Sequence, residues 1–474
     1  MIHYAGALAA LKRTAAAMAV MTVMAMLFAS AAVCDAEEKE TATTEEILQI
    51  LKDKNIVTET QYQELMQKAE AEKQKSEEDY TVNWNNGLNI NRNDGAFKVK
   101  VGGRIQFDWG AIDPDGSLEE NESNGVYGDN DLKGNGVEFR RARLFISGSL
   151  WEDVLFKAQY DFGGGDADFK DVYIGMQNIP VMGKVLVGHM KEPFSLEEQT
   201  SSKYITFMER SLPTGAFSPS RNSGIRASNT VLDKRMTWGA GVFYGDTDDD
   251  GDSDFNDDTN LNMTLRLTGL PYYADEGRRL LHLGLGYSHQ FRDEGSTTAR
   301  YRNRPESHLT DVRLVDTGSI DLDGADLLNP ELAFVWGPFS LQGEYFWTNL
   351  DASAADDPTF QGAYLAGSWF PTGENRPYST SSGAFGRIKP NNNFGLGEDA
   401  GIGAWELAAR WSWLDLNDGE IEGGEENNLT LGLNWYWNPN SRMMFNYIYA
   451  DVEDRAEAED GKANIFQTRF QIDF

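Results

Sequence analysis

The chain has one cysteine, Cys34, in 474 residues. A leader cleaved after Ala36 would remove it, and with it any disulfide, thiolate metal site or cysteine nucleophile; cleavage after Ala31, the other plausible site, would leave it. Only five histidines are present, and no two of them stand four apart as a helical metal pair would. No nucleophile elbow and no phosphate-binding glycine loop stands at a strand-to-helix junction, so an enzyme with a bound cofactor or metal is not expected. Bases are outnumbered, 42 against 75 acids, for a net charge of −33, which does not recommend nucleic acid as a partner. Long apolar runs are also scarce: mean hydropathy is −0.50 and only 40% of residues are hydrophobic. A helical membrane protein needs repeated apolar runs of ~20 residues. One such run exists, from Thr14 to Val33 behind Lys12 and Arg13. Its small-residue end reads as a secretory signal over residues 1–36. A retained anchor helix, or a lipid anchor at Cys34, would be the alternatives, although Val33 is a poor residue before a lipoprotein-type cleavage.

What the chain has instead is alternation. Between Ile465 and Phe474, Phe466, Thr468, Phe470, Ile472 and Phe474 share one face, and Gln467, Arg469, Gln471 and Asp473 the other. Period two over this length is a strand with one apolar and one wet face. Similar strands run through Phe97–Trp109, Phe156–Phe162, Leu261–Thr268, Leu281–Ser288, Trp405–Trp413 and Leu429–Trp437. A soluble sandwich also alternates, and one binding carbohydrate through its tryptophans is the rival reading. The aromatic content, 12 Trp, 18 Tyr and 25 Phe, suits an interfacial girdle. Turns alternate between short ones (Gly337-Pro338; Asn438-Pro439-Asn440) and long polar ones (Asp246–Asn260; Asp351–Thr359). That asymmetry predicts an all-β fold: a transmembrane antiparallel β-barrel of about 16 strands over residues 95–474. Its polar turns would be periplasmic where short and external where long. The terminal strand ending in Phe474 is the expected handle for the barrel-assembly machinery.

Ahead of the barrel, residues 37–80 read as a short periplasmic helical or coiled-coil segment. Thr58-Glu59-Thr60-Gln61 forms a capping box before Tyr62, Leu65, Met66 and Ala69. A poorly ordered charged linker is the bland reading of the same composition.

Basic residues on wet faces are the functional candidates. In Phe139–Leu150, Arg141 and Arg143 oppose Ala142, Leu144 and Ile146. Two guanidiniums projecting into one lumen attract anions and replace their water. Alternatively they pair with wall carboxylates such as Asp161 or Asp171 and brace the barrel. The same rule adds Arg104, Lys157, Arg266, Arg410 and Arg469, with Asp108, Asp161 and Glu406 as inward acids. The segment Gly188–Pro213 breaks its strand at Pro193 and is long enough to fold inward and narrow the pore; it carries Lys191, Lys203 and Arg210. Asp246, Asp248, Asp250 and Asp257 mimic part of a calcium loop but lack flanking helices and the twelfth-position Glu, so an acidic external loop is the plainer reading.

Several stretches together resemble the phosphate-selective porin O and P family: Arg140-Arg141-Ala142-Arg143; Gly188 with Lys191-Glu192-Pro193-Phe194-Ser195-Leu196-Glu197 and Thr200-Ser201-Ser202; Glu209-Arg210-Ser211; Leu267-Thr268-Gly269-Leu270-Pro271; Arg302, Arg304-Pro305-Glu306; Asn329-Pro330-Glu331-Leu332; Thr372-Gly373-Glu374 with Arg376-Pro377-Tyr378; Gly383-Ala384-Phe385-Gly386-Arg387; and Asn434-Trp435-Tyr436 with Asn438-Pro439-Asn440. The resemblance implies a homotrimer of 16-stranded barrels in the bacterial outer membrane, each passing small anions such as phosphate down a file of arginines and lysines. A general porin that also tethers the envelope through its N-terminal helices is the alternative.

Overall fold

The computed structural model describes residues 49, 52–54, 57–77, 80–128, 130–245, 260–292, 297–352, 357–397, 400–456 and 458–474. The leader expected over 1–36 and the acidic stretch of Asp246, Asp248 and Asp250 lie outside them.

Sixteen antiparallel strands close into one barrel: β1 (Phe97–Pro114), β2 (Gly134–Leu150), β3 (Val154–Asp161), β4 (Asp168–Ile179), β5 (Gly183–Lys191), β6 (Arg221–Val231), β7 (Met236–Tyr244), β8 (Asn260–Ala274), β9 (Arg279–Arg292), β10 (Ile320–Trp336), β11 (Phe339–Ala352), β12 (Thr359–Trp369), β13 (Ala404–Asp418), β14 (Ile421–Asn438), β15 (Ser441–Arg455) and β16 (Gly461–Asp473). The last strand returns to the first, with Phe470 opposite Phe107 and Arg469 opposite Asp108. Phe474 finishes the seam: its N–H donates to Gly103 O at 3.1 Å, and Gly103 N–H donates to its carbonyl at 2.7 Å. Alternation sorts the two faces as expected. Leu429 and Leu431 project outward, nearly half exposed, while Arg104, Gln106 and Asp108 are buried inside. Only a closed barrel satisfies every strand's backbone groups in lipid.

The turns at 151–153, 180–182, 337–338 and 439–440 gather at the end that holds Phe474, which is periplasmic by the porin rule of short inner turns. Two connections break that rule and correct the simple alternation read from the sequence. The external turn between β13 and β14 is only Gly419-Glu420. Conversely, the long periplasmic connection between β12 and β13 turns into the lumen over its described residues 370–397. It does so because it carries its own apolar anchors. Phe385 packs with Leu196, Leu280 and Ala333, and Phe370 and Ile388 pack with Ala404 and Tyr436.

The lumen is not polar throughout. Tyr301, Val312 and Leu314 of the external loop after β9, together with Phe217, pack against Leu350, Phe360, Leu414, Ile448 and Ile465 on the inner faces of β11–β16. This dry cluster fills part of the bore on that side, and cation-lined cavities lie along β1–β8 and the inward segments. Leu414 and Leu416 share the inward parity of Arg410 and Ser412, so alternation told the side correctly but not what would cover it.

At the N-terminal side, Thr58 caps helix α1 (Glu59–Glu77) with the expected reciprocal pair. Gln61 N–H donates to Thr58 Oγ1 at 3.3 Å, and Thr58 N–H donates to Gln61 Oε1 at 3.0 Å. A hairpin that the sequence reading did not anticipate follows, Tyr80–Trp84 with Leu88–Arg92. Residues 88–91 pair with 98–101 of β1, below the level at which β16 stops.

Candidate functional site

The site begins with a fault in a strand pair. In the β1–β2 register Gln106 faces Arg141 and Phe107 faces Phe139, so Arg140 is the extra residue of a β-bulge. Strict alternation would send Arg140 to lipid. The bulge turns it inward beside Arg141 and puts Phe139, which alternation would send inward with Arg141, on the outer wall, 58% exposed. Arg140 clamps Glu209 of the inward segment with Nε and Nη2 at 2.9 and 3.1 Å.

That segment, residues 192–220, leaves the wall at the external end and carries short helices at Leu196–Gln199 and Leu212–Phe217. Pro193 breaks β5, and Glu344 of the opposite wall accepts the Leu196 and Glu197 N–H groups at 2.9 and 2.8 Å. The expected inward fold is therefore present, pinned through backbone donors.

Between this segment and β1–β6 lies a cavity of about 180 Å³. Arg104, Arg141, Arg143, Lys157, Lys191, Arg210 and Arg221 line it, with Asp171 as the one lining carboxylate. Arg143 Nε pairs with Asp161 at 2.6 Å, and Lys157 and Arg221 share Asp171. Lys191 and Arg210 share Glu198 at 2.9 and 3.0 Å. The bracing alternative is therefore partly realised. Arg141 gives Nη1 to Gln106 Oε1 at 2.9 Å and lies 3.7 Å from Glu209. Arg104 donates to Ser202 Oγ at 2.6 Å, and among the described residues no carboxylate forms an ion pair with it.

The other predicted residues lie elsewhere. Arg266 makes a two-pronged pair with Glu331, both contacts at 2.7 Å, and holds the Gly383 carbonyl of the periplasmic inward segment. Arg410 is buried against Glu306 at 2.6 Å, and Arg469 is shared by Asp108 and Glu209. Lys203 sits 3.4 Å from Asp473 near the periplasmic end, where Arg387 takes the same carboxylate. These four are inward, as read, but are tied into ion pairs that dock inward segments or close the wall.

Sequence reasoning missed Arg140 and Arg221. Arg221 shares the parity of outward Ile225, and it reaches the cavity as the first residue of β6, opposite Lys191. The bulge at Arg140 leaves no sequence signal beyond its two neighbouring arginines, Arg141 and Arg143.

Two further cavities flank the central one. An outer vestibule of about 330 Å³ shares Arg210 with it and gathers Arg140, Arg302, Arg304 and Arg313. In the external loop, the Arg304 guanidinium beside Asp311 holds that carboxyl below its ordinary range. An inner vestibule of about 710 Å³ shares Gln199 with the central cavity and contains Arg226 and Lys184. The three form a series from the external mouth to the periplasmic one, with cations in each.

The family model described as phosphate-selective porin O and P matches residues 99–474. Porin O of Pseudomonas aeruginosa is 26% identical over 437 residues, covering 84% of this chain and 93% of that protein. A Caulobacter vibrioides protein described as uncharacterized is 28% identical over 403 residues, covering 83% of this chain and 77% of its own. Among solved structures, the trimer form of the outer membrane protein OmpT of Vibrio cholerae covers 80% of this chain and 100% of its own, with a TM-score of 0.48 and 12% identity. The matched span takes in the closed barrel but for the first two residues of β1, and the chain belongs to the phosphate-selective porin O and P family, a passive diffusion channel of the bacterial outer membrane.

Proposed function

We propose that the channel is anion-selective and passes phosphate or related small anions. The observation that carries the reading is the central cavity, where seven cationic side chains meet one lining carboxylate. Permanent guanidinium charge concentrates anions there, and planar donor forks replace the water an oxyanion gives up. Arg104 and Arg141 are the groups we assign to the anion itself, since hydroxyl and amide oxygens rather than close carboxylates hold them. Lys157, Lys191, Arg143, Arg210 and Arg221 supply the surrounding field. Conduction needs several sites weak enough to leave, and the outer and inner vestibules provide them in series. We assign the working assembly as a homotrimer, on family grounds, and the segment 37–80 as dispensable for the pore.

Reversal potential in a planar bilayer under a KCl gradient tests the reading. An anion-selective potential, and block of chloride current by added phosphate, are expected. A cation-selective or zero potential would remove anion selectivity, and loss of the phosphate block alone would remove phosphate.

A further inference from the structure

Beside the external mouth, Glu426 of β14 is fully buried, and no cation is paired with it among the described residues. Its rung in the sheet is apolar: Leu414 faces it from β13 and Val452 from β15. Asn428, two residues on and on the same inner face, donates Nδ2 to Glu426 Oε1 at 3.0 Å. Two polar atoms of this pair find no protein partner, Glu426 Oε2 and Asn428 Oδ1, and both are acceptors if the acid is ionised. A single proton on Oε2 changes that. A carboxylic acid and a primary amide then form a ring with two hydrogen bonds, N–H to O and O–H to O, and both orphaned atoms become partners. Leaving them unpaired in a dry site costs the desolvation of both atoms, and more for the charge.

The other groups facing the pair have partners, Glu306 Oε1 excepted. Glu306, from the external loop, accepts at Oε2 from Thr430 Oγ1 and pairs there with Arg410. Arg455 on β15 donates Nη1 to the Arg313 and Leu314 carbonyls at 2.6 and 2.8 Å, and Tyr127 hydrogen-bonds with Asn121 at 3.5 Å. Outward neighbours Glu425 and Asn427 are polar and bond to each other at 3.0 Å, and the lipid-facing row begins at Leu429. Glu426 thus stands above the hydrocarbon belt, within reach of the external medium's pH once the loop lifts.

The same rung is what the loop sits on. Val312, Leu314 and Val315 share a dry cluster with Leu414, Leu416 and Val452. We propose that Glu426 is held as the neutral carboxylic acid, donating its proton from Oε2 to Asn428 Oδ1, and that this neutral pair is the acid-dependent seat of the external loop. Loss of the proton places a bare carboxylate in an apolar wall beside Glu306, the partner of Arg410, and the loop that walls the outer vestibule is released. Rising pH therefore loosens the mouth.

Two measurements on the full-length porin in detergent test this. Infrared difference spectra of wild type against Glu426→Gln at neutral pH should contain the C=O stretch of a protonated carboxylic acid. Val312→Cys, with Cys34 replaced by Ser, should react with a maleimide about tenfold faster at about pH 9 than the same cysteine in a Glu426→Gln background, with equal rates at about pH 6. Gln keeps the neutral ring, so it separates the proton from simple loss of the side chain. A missing acid band, equal labelling in both backgrounds at each pH, or labelling governed by calcium and chelator rather than by pH would each overturn the proposal.

Discussion

Arg104 on the first strand places Nη1 2.6 Å from Ser202 Oγ on the inward segment. Its neighbours Arg143, Lys157, Lys191, Arg210 and Arg221 all lean on carboxylates. A guanidinium fixed by a neutral hydroxyl keeps its charge available to a passing ion. A guanidinium fixed by a carboxylate gives most of that field to the wall.

The first prediction follows from that contrast. Arg104→Ala, or Arg141→Ala, should weaken phosphate block of chloride current by roughly tenfold, the worth of about 1.5 kcal/mol for a charge-assisted hydrogen bond. The double variant Arg141→Ala with Arg143→Ala should also lower the anion-over-cation permeability ratio. Leu144→Ala, on the outer face, should change neither. Unaltered block and reversal potential in the arginine variants would make them wall braces.

Removing a counter-charge should act in the opposite sense. Asp171→Asn frees Lys157 and Arg221 from their shared partner. Anion preference should rise, read as a larger reversal potential. Thermal stability should fall as well, because breaking one side of a buried ion pair costs about 3–5 kcal/mol. A lower anion preference would mean that Asp171 orders the cations more than it neutralises them.

The periplasmic inward segment is held by Arg266 through Gly383 and by Arg387 through Asp473. Replacing residues 377–387 by a short glycine–serine linker should widen the inner vestibule and raise single-channel conductance several-fold while the barrel still assembles. Conductance that stays the same would place the narrowest point elsewhere, at the central cavity.

Closure supplies a test of assembly. Deleting Phe474 removes two backbone hydrogen bonds to Gly103 at the seam, about 1 kcal/mol each. Folded, heat-resistant barrel in the membrane fraction should drop while synthesis continues. Equal amounts of assembled barrel would assign no role to that residue.

The N-terminal segment is a separate case. A chain without residues 37–79, leader retained, should insert and conduct as the whole does. The hairpin from Tyr80 is kept, since Leu88–Asn91 pairs with β1. Failure to insert would make α1 part of the barrel's assembly.

Sequence by itself determined the wall. Side-chain direction in a strand depends only on parity, so alternation placed Arg104, Arg143, Arg266, Arg410 and Arg469 inside and Leu144, Leu429 and Trp411 outside without any tertiary information. It also showed where the strand breaks at Pro193, because proline has no N–H to give the ladder. Tertiary structure alone decided what each inward charge meets. Arg410 finds Glu306 from a loop 104 positions away in the chain, and Arg104 finds a serine instead of an acid; such partners are set by how segments cross the lumen. The bulge at Arg140, the apolar filling over Leu414 and the inward turn of 370–391 belong to the same class. Each depends on packing between parts of the chain that no local period connects, and those packings turned a simple barrel into a narrowed, cation-lined passage.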